Sequence, residues 1–185
     1  MIENRQNQLD GEAVFAHCFP AGIFIPLTPD YLSIRNRVHF ELLGSNYTEF
    51  FAIAHGDGST TLGGVARTPE AHTFHLVDRT PNFIKGVMLT QGYGKMLRRF
   101  GDTDPIWKDK PTVSELITRR VFREMGLATR RLKMMNALSR MYYGLPLYSN
   151  KYSTYAETNI WEKLVREGLA EKFQEGRDTR YRFQN

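Results

Sequence analysis

The sequence predicts a single α/β domain: a mixed, largely antiparallel sheet flanked by helices. Three observations carry that expectation. Strand-length apolar runs separated by turn residues appear in "TEFFAIAHGDGSTTLGGVAR", and apolar residues recur at helical spacing in "LATRRLKMMNALSRMYYG". The chain has 185 residues, 41% hydrophobic and 24% charged, which is size and balance enough for one substantial core. No repeat, low-complexity tract or Ser/Gly linker divides it, so the expected domain spans residues 1–185.

Several classes are excluded early. A lone cysteine, Cys18, allows no internal disulfide framework and fits a reducing compartment. The longest apolar run, "AGIFIPL", contains a proline and is far shorter than the ~20 residues of a membrane span. The start, "MIENRQNQLDGE", is too polar and acidic for a secretory signal, so a cytoplasmic location is expected, away from membrane. His72 and His75, three residues apart in a strand, point to opposite faces, and no metal site is expected.

A net charge of +5 and a pI near 9.4 suit an anionic partner, either nucleic acid or a phosphate-bearing cofactor. The charge is local. Residues 119–140 hold seven Lys and Arg (Arg119, Arg120, Arg123, Arg130, Arg131, Lys133, Arg140) against the single acid Glu124.

In chain order, "GEAVFAHCFPAGIFIPLTPDYLSIRNRVHFELLG" reads as an irregular lead-in and then a helix capped by Thr28 or Asp30. Phe50, Phe51, Ile53 and Ala54 form a strand, "HGDGST" a turn and "LGGVAR" the return strand, with "HTFHLVDR" extending the meander. Residues 80–111 read as an insertion holding a short helix at 83–100, with "QGYG" as a loop or helix break, followed by an Asp/Gly/Pro-rich loop. "VSELITRRVF" is a strand. A helix starts near Gly126, with Leu127, Met134, Leu138 and Met141 on its apolar face, Arg130, Lys133, Asn136 and Arg140 on another, and Gly144 at its end. "LPLYSN" is a short strand, "TYAETNIWEKLVREGL" a helix, and "AEKFQEGRDTRYRF" a hairpin turning at "EGRD".

The chemistry concentrates at "FREMGLATRR". A helix N-terminus offers free amides and the positive end of the helix dipole, and small residues let an anion approach the backbone. Arg123 and Arg130 or Arg131 add charge-assisted bonds. That turn is shaped to hold a diphosphate.

The stretch Arg123-Glu-Met-Gly126-Leu-Ala128 resembles the acetyl-CoA signature of the Gcn5-related N-acetyltransferases, the GNAT superfamily: Arg or Gln, two residues, Gly, one residue, then Gly or Ala. "ELITRRVF" looks like the family's fourth strand, "TRRLKMMNALSRMYYG" like its third helix, "LPLYSN" like its fifth strand, and residues 47–79 like its second and third strands. The tail also looks like that of phage-encoded members. The resemblance covers roughly residues 47–79 and 113–170. It implies a parallel, splayed fourth and fifth strand with CoA wedged between them. It further implies that the Met125, Gly126, Leu127, Ala128 and Thr129 amides bind the pyrophosphate, that Arg123 and Arg130 flank it, and that Val121 and Phe122 pair with pantetheine.

Acetyl transfer from acetyl-CoA to an amine needs a base, a polarising N–H and an acid for the thiolate. The resemblance places the base near the fourth strand, where Glu115 is the only acid; pairing with an arginine such as Arg119 is its plain structural alternative, and Glu49 is the reserve. The family's tyrosine acid is replaced by Trp161. Tyr148 and Tyr155 are the substitutes, with Tyr142, Tyr143 and Tyr152 nearby. The acceptor is a protein or a small amine. Two other readings compete. The C-terminal helix and basic hairpin, with Arg177, Arg180 and Arg182, also fit a winged-helix nucleic-acid-binding unit, and the same fold without catalysis would be an interaction protein.

Overall fold

Six strands between residues 22 and 118 form a sheet, and the long helix at Leu127–Tyr143 packs its apolar stripe against it. The computed structural model describes residues 2–28, 47–82, 84–104, 108–151 and 153–184, with side chains from Asp10 onward. Helix α1 (Ile2–Cys18) leads into strands β1 (Gly22–Leu27), β2 (Tyr47–His55), β3 (Thr60–Arg67), β4 (Ala71–Asn82), β5 (Val87–Arg99) and β6 (Thr112–Thr118). Helices α2 (Leu127–Tyr143) and α3 (Tyr155–Arg166) follow, then the hairpin β7 (Ala170–Glu175) and β8 (Asp178–Phe183). The first six strands form one antiparallel sheet in sequence order. No helix among the described residues is long and apolar enough to cross a membrane.

Local chemistry explains the punctuation. Between β2 and β3, Asp57 Oδ1 accepts from the Ser59 amide at 2.9 Å and Gly58 takes φ 77°, so the chain reverses in a tight turn. Helix α3 opens with a reciprocal capping box, in which the Thr154 side chain accepts from the Glu157 amide and the Glu157 side chain from the Thr154 amide. Pro26 sits in β1, an edge strand where a missing N–H is tolerated.

Alternation along the strands turns Phe51, Ile53, Val65, Phe74, Leu76 and Met96 into the core, where they meet Leu132, Met134, Met135 and Leu138 of α2. Each such side chain contributes about 1.5–3 kcal/mol on burial. Helix α1 packs across α2, inserting Phe15 with no exposed surface, and Gly11 lies against Met141.

The expected meander, α2, α3 and the terminal hairpin are all present. Three expectations are corrected. "LPLYSN" is not a strand, since within 145–150 only Tyr148 makes bridges. Residues 83–100 are not a short helix: Val87–Arg99 is a thirteen-residue strand inside the sheet, paired with β4 and β6. The lead-in before Thr28 is not irregular, since it forms α1 and β1. The helix expected after Thr28 falls on 29–46, outside the described residues.

Tyr148 connects the sheet to the hairpin. It makes a parallel bridge with Thr112 and an antiparallel one with Arg182. Its amide donates to Pro111 O at 2.9 Å and its carbonyl accepts from Val113 N at 3.0 Å, while Ser149 N reaches Tyr181 O at 2.9 Å. This single parallel bridge lies at the start of β6. Beyond it, β6 continues to Thr118 with its second edge unpaired among the described residues.

Candidate functional site

Three successive turns of backbone follow β6. The chain leaves the strand at Thr118, makes a 3-10 turn at Arg120–Phe122, and then passes through two left-handed residues, Glu124 with φ 67° and Gly126 with φ 72°. Gly126 is the N-cap of α2 and has no side chain to cap it. The first bond of the helix runs from Arg130 N to Gly126 O at 2.9 Å, so the amides of Leu127, Ala128 and Thr129 precede the ladder. They point outward with the positive end of the helix dipole behind them. A Cβ at residue 126 would meet nothing within 4 Å, so glycine is required there for its φ, not for lack of room.

The opposite wall is α3. Between it, the end of β6 and the α2 N-terminus lies a cavity of about 730 Å³, a volume within the usual range for small-molecule and cofactor sites. Leu116, Leu127 and Ile160 give it an apolar floor, Thr118, Thr129 and Asn159 line it with polar groups, and Arg123 and Lys163 add positive charge. Of the two carboxylates on its wall, Glu157 is engaged in the α3 cap, its Oε2 accepting from the Thr154 amide at 2.8 Å. The site can therefore hold an elongated ligand with an anionic group at the α2 end and a less polar body along β6.

The structure brings together Phe122, Arg123, Gly126, Leu127, Ala128 and Thr129 on the cavity wall. Met125 is exposed beside it. Val121 and Phe122 do not continue the strand. They belong to the 3-10 turn, the Phe122 amide donates to Arg119 O at 2.9 Å, and Val121 is 80% exposed. That amide is engaged within the turn rather than along a cofactor arm.

Arg130 turns away from the cavity. It donates to Asp57 Oδ2 at 2.9 Å and Ser59 Oγ at 3.1 Å, tying the start of α2 to the β2–β3 turn. Hydrogen bonds from Ser59, with the nearby Arg130 guanidinium, hold the Asp57 carboxyl down at about 2.

The three expected catalytic residues are not gathered in the cavity. Glu115 pairs across the sheet with Lys95 at 3.8 Å, not with Arg119. Strand alternation puts Glu115 on the face of β6 opposite Leu116 and Thr118. The Tyr148 ring packs edge-on against Phe173 with Lys110 5.7 Å above it. Tyr155 is the first residue of α3 and is 83% exposed, next to the cavity-lining Thr154 and Ala156. Trp161 is core, stacked on Tyr181. Tyr142 and Tyr143 lie at the far end of α2, where burial raises both phenols above their ordinary range; Tyr142 donates to the reserve acid Glu49, which also pairs with Arg67. Tyr152 lies outside the described residues.

Sequence reasoning missed the support beneath the cavity. Arg131 and Asp78 form an ion pair at 2.6 Å with neither side chain exposed. Arg131 also donates to Ile117 O at 2.8 Å, Tyr93 O at 3.2 Å and Thr118 Oγ1 at 3.2 Å. "QGYG" makes the room. A Cβ on Gly92 would stand 2.6 Å from Arg131 Nη2 and 2.3 Å from Ile117 O, and one on Gly94 2.1 Å from Met135 Cε. Two glycines alternating in a strand signal such a close approach. The pair continues to Thr61, whose hydroxyl donates to Asp78 Oδ1 at 2.7 Å and meets His55 Nε2 at 2.8 Å.

Comparison with protein-family models, with curated proteins and with solved structures gives no match for this chain.

Proposed function

We propose that the chain binds acetyl-CoA in the cavity between β6 and α3 and transfers its acetyl group to an amine, in the manner of the GNAT superfamily. One observation carries the reading: a cavity of about 730 Å³ whose end wall is the uncapped N-terminus of α2 at Gly126. Free amides and the helix dipole favour a diphosphate there, Arg123 and Lys163 add charge, and the unpaired edge of β6 offers backbone groups to an amide-bearing arm. The parting of β6 from the Tyr148 segment beyond their single bridge supports a splayed parallel pair.

In this reaction the neutral amine nitrogen attacks the thioester carbonyl carbon. The carbon–sulfur bond then breaks, the amine loses one proton to a base, and the thiolate gains one. Tyr155, beside the cavity at the start of α3, is assigned the acid role; Glu115, on the other face of β6 and paired with Lys95, is not placed to act as the base. The terminal hairpin favours the nucleic-acid reading less. Arg180 is fully buried and donates to Glu175 at 2.6 Å, and Arg182 pairs with Glu171.

Isothermal titration with acetyl-CoA and CoA tests the reading. Saturable binding that Gly126→Asp abolishes is the expected result, because aspartate sets both a Cβ at φ 72° and a carboxylate against the diphosphate. No binding of either ligand, with salt-dependent retention of duplex DNA instead, overturns it.

A further inference from the structure

The buried ion pair reaches the cavity at Thr118. Arg131 Nη2 donates to Thr118 Oγ1, and Thr118 lines the cavity wall. A threonine hydroxyl carries one hydrogen and two lone pairs. With a guanidinium N–H on a lone pair, the hydroxyl is left to act as a donor, and among the described residues no protein acceptor takes its hydrogen. A hydroxyl that accepts from a cation is also the stronger donor, through hydrogen-bond cooperativity.

The guanidinium cannot turn away from this task. Its Nε is held by Asp78 and its Nη1 by the Ile117 and Tyr93 carbonyls, and Asp78 is held in turn by Thr61. Stability gives only weak reason for such a group, since apolar replacements of a buried ion pair are often neutral or stabilising. Fixing the hydroxyl of a threonine on the cavity wall gives a stronger one.

As an extension of the acetyl-CoA reading, we infer that Thr118 is a ligand-binding residue whose hydroxyl donates to an acceptor oxygen of the acyl-pantetheine arm, with Arg131 as its positioning residue. Threonine 118 stands between the α2 N-terminus, where the diphosphate would lie, and Leu116 further along the strand. Its place on the wall is thus beside the arm, not the nucleotide.

The experiment is a titration of wild type, Thr118→Ser and Thr118→Val with acetyl-CoA and with the nucleotide-diphosphate fragment of CoA, which lacks the arm. Valine keeps the shape of threonine and removes the hydroxyl; serine restores it. We expect Thr118→Val to weaken acetyl-CoA roughly three- to tenfold and to leave the fragment unchanged, with Thr118→Ser within about twofold of wild type. Equal acetyl-CoA affinity in Thr118→Val overturns the hydroxyl's role and leaves the acetyl-CoA reading standing. Equal loss of both ligands also overturns it, because the residue would then be shaping the loop alone. A wild-type protein that binds neither ligand removes the acetyl-CoA reading itself, and the arm contact with it.

Discussion

Asp78 and Arg131 meet inside the protein, Oδ2 to Nε at 2.6 Å, one on β4 and the other on α2, with the backbone of Gly92 passing beside them. Their geometry ties the middle of the sheet to the helix whose first turn forms the candidate site. Breaking it by Asp78→Asn leaves a buried guanidinium without its countercharge and is expected to cost about 3–5 kcal/mol. Replacing both partners, Asp78→Leu with Arg131→Met, is expected to recover most of that loss. Urea midpoints of the single and double variants check the order.

Gly92→Ala forces a Cβ into the guanidinium and a main-chain oxygen, neither of which is free to move. The expected destabilisation is about 1–3 kcal/mol, with no loss of secondary structure. Chemical denaturation followed by circular dichroism measures it. Gly58→Ala, whose Cβ would meet nothing within 4 Å, serves as a control limited to the backbone cost of its φ of 77°.

His55 sets a pH dependence. Burial, with the Arg130 charge second, lowers its pKa below the ordinary 6.5, against the raising influence of Asp78 and Asp57. The unfolded chain therefore binds the proton more readily than the folded one, so the contribution of neutral His55 is complete above about pH 6.5 and is lost as pH falls below it. Replacing His55 with Gln is expected to flatten the stability profile below about pH 6.5, read as the slope of the urea midpoint against pH. An unchanged slope assigns the dependence elsewhere.

Glu124 holds a left-handed φ of 67° in the turn before α2. Glutamate in that region costs about 1 kcal/mol that glycine does not. Glu124→Gly is expected to keep or raise stability while removing a carboxylate from the cavity wall, and so to tighten acetyl-CoA by several-fold at low salt. Titration at two ionic strengths checks it, because the gain is expected to shrink as salt rises.

Much of the frame was legible because it is punctuated locally. The Asp57–Ser59 turn, the Thr154–Glu157 cap and the glycines at 126, 144 and 176 mark ends by their own chemistry. Strand β5 was hidden because Gly92 and Gly94 read as helix or loop breakers when their purpose is to admit Arg131 and Met135 from across the sheet. Arg131 itself carried a signal. It lies four residues after Leu127 and three before Met134, on the apolar stripe of α2, whereas its neighbour Arg130 faces the surface network. A charge on a buried stripe calls for a buried partner, and Asp78, the one acid of β4 and fully buried, supplies it. The cavity was legible as a turn but not as a space, since α3 reaches it only through the packing of Trp161 and the hairpin.

The free edge of β6 has one more consequence. Open strand edges ordinarily invite another polypeptide to add itself alongside, with the danger of runaway stacking. Here that edge is recessed, because α3 stands over it and the Tyr148 bridge closes its near end. Covering an open strand with a helix is one of the ways a protein keeps that edge from pairing with another chain.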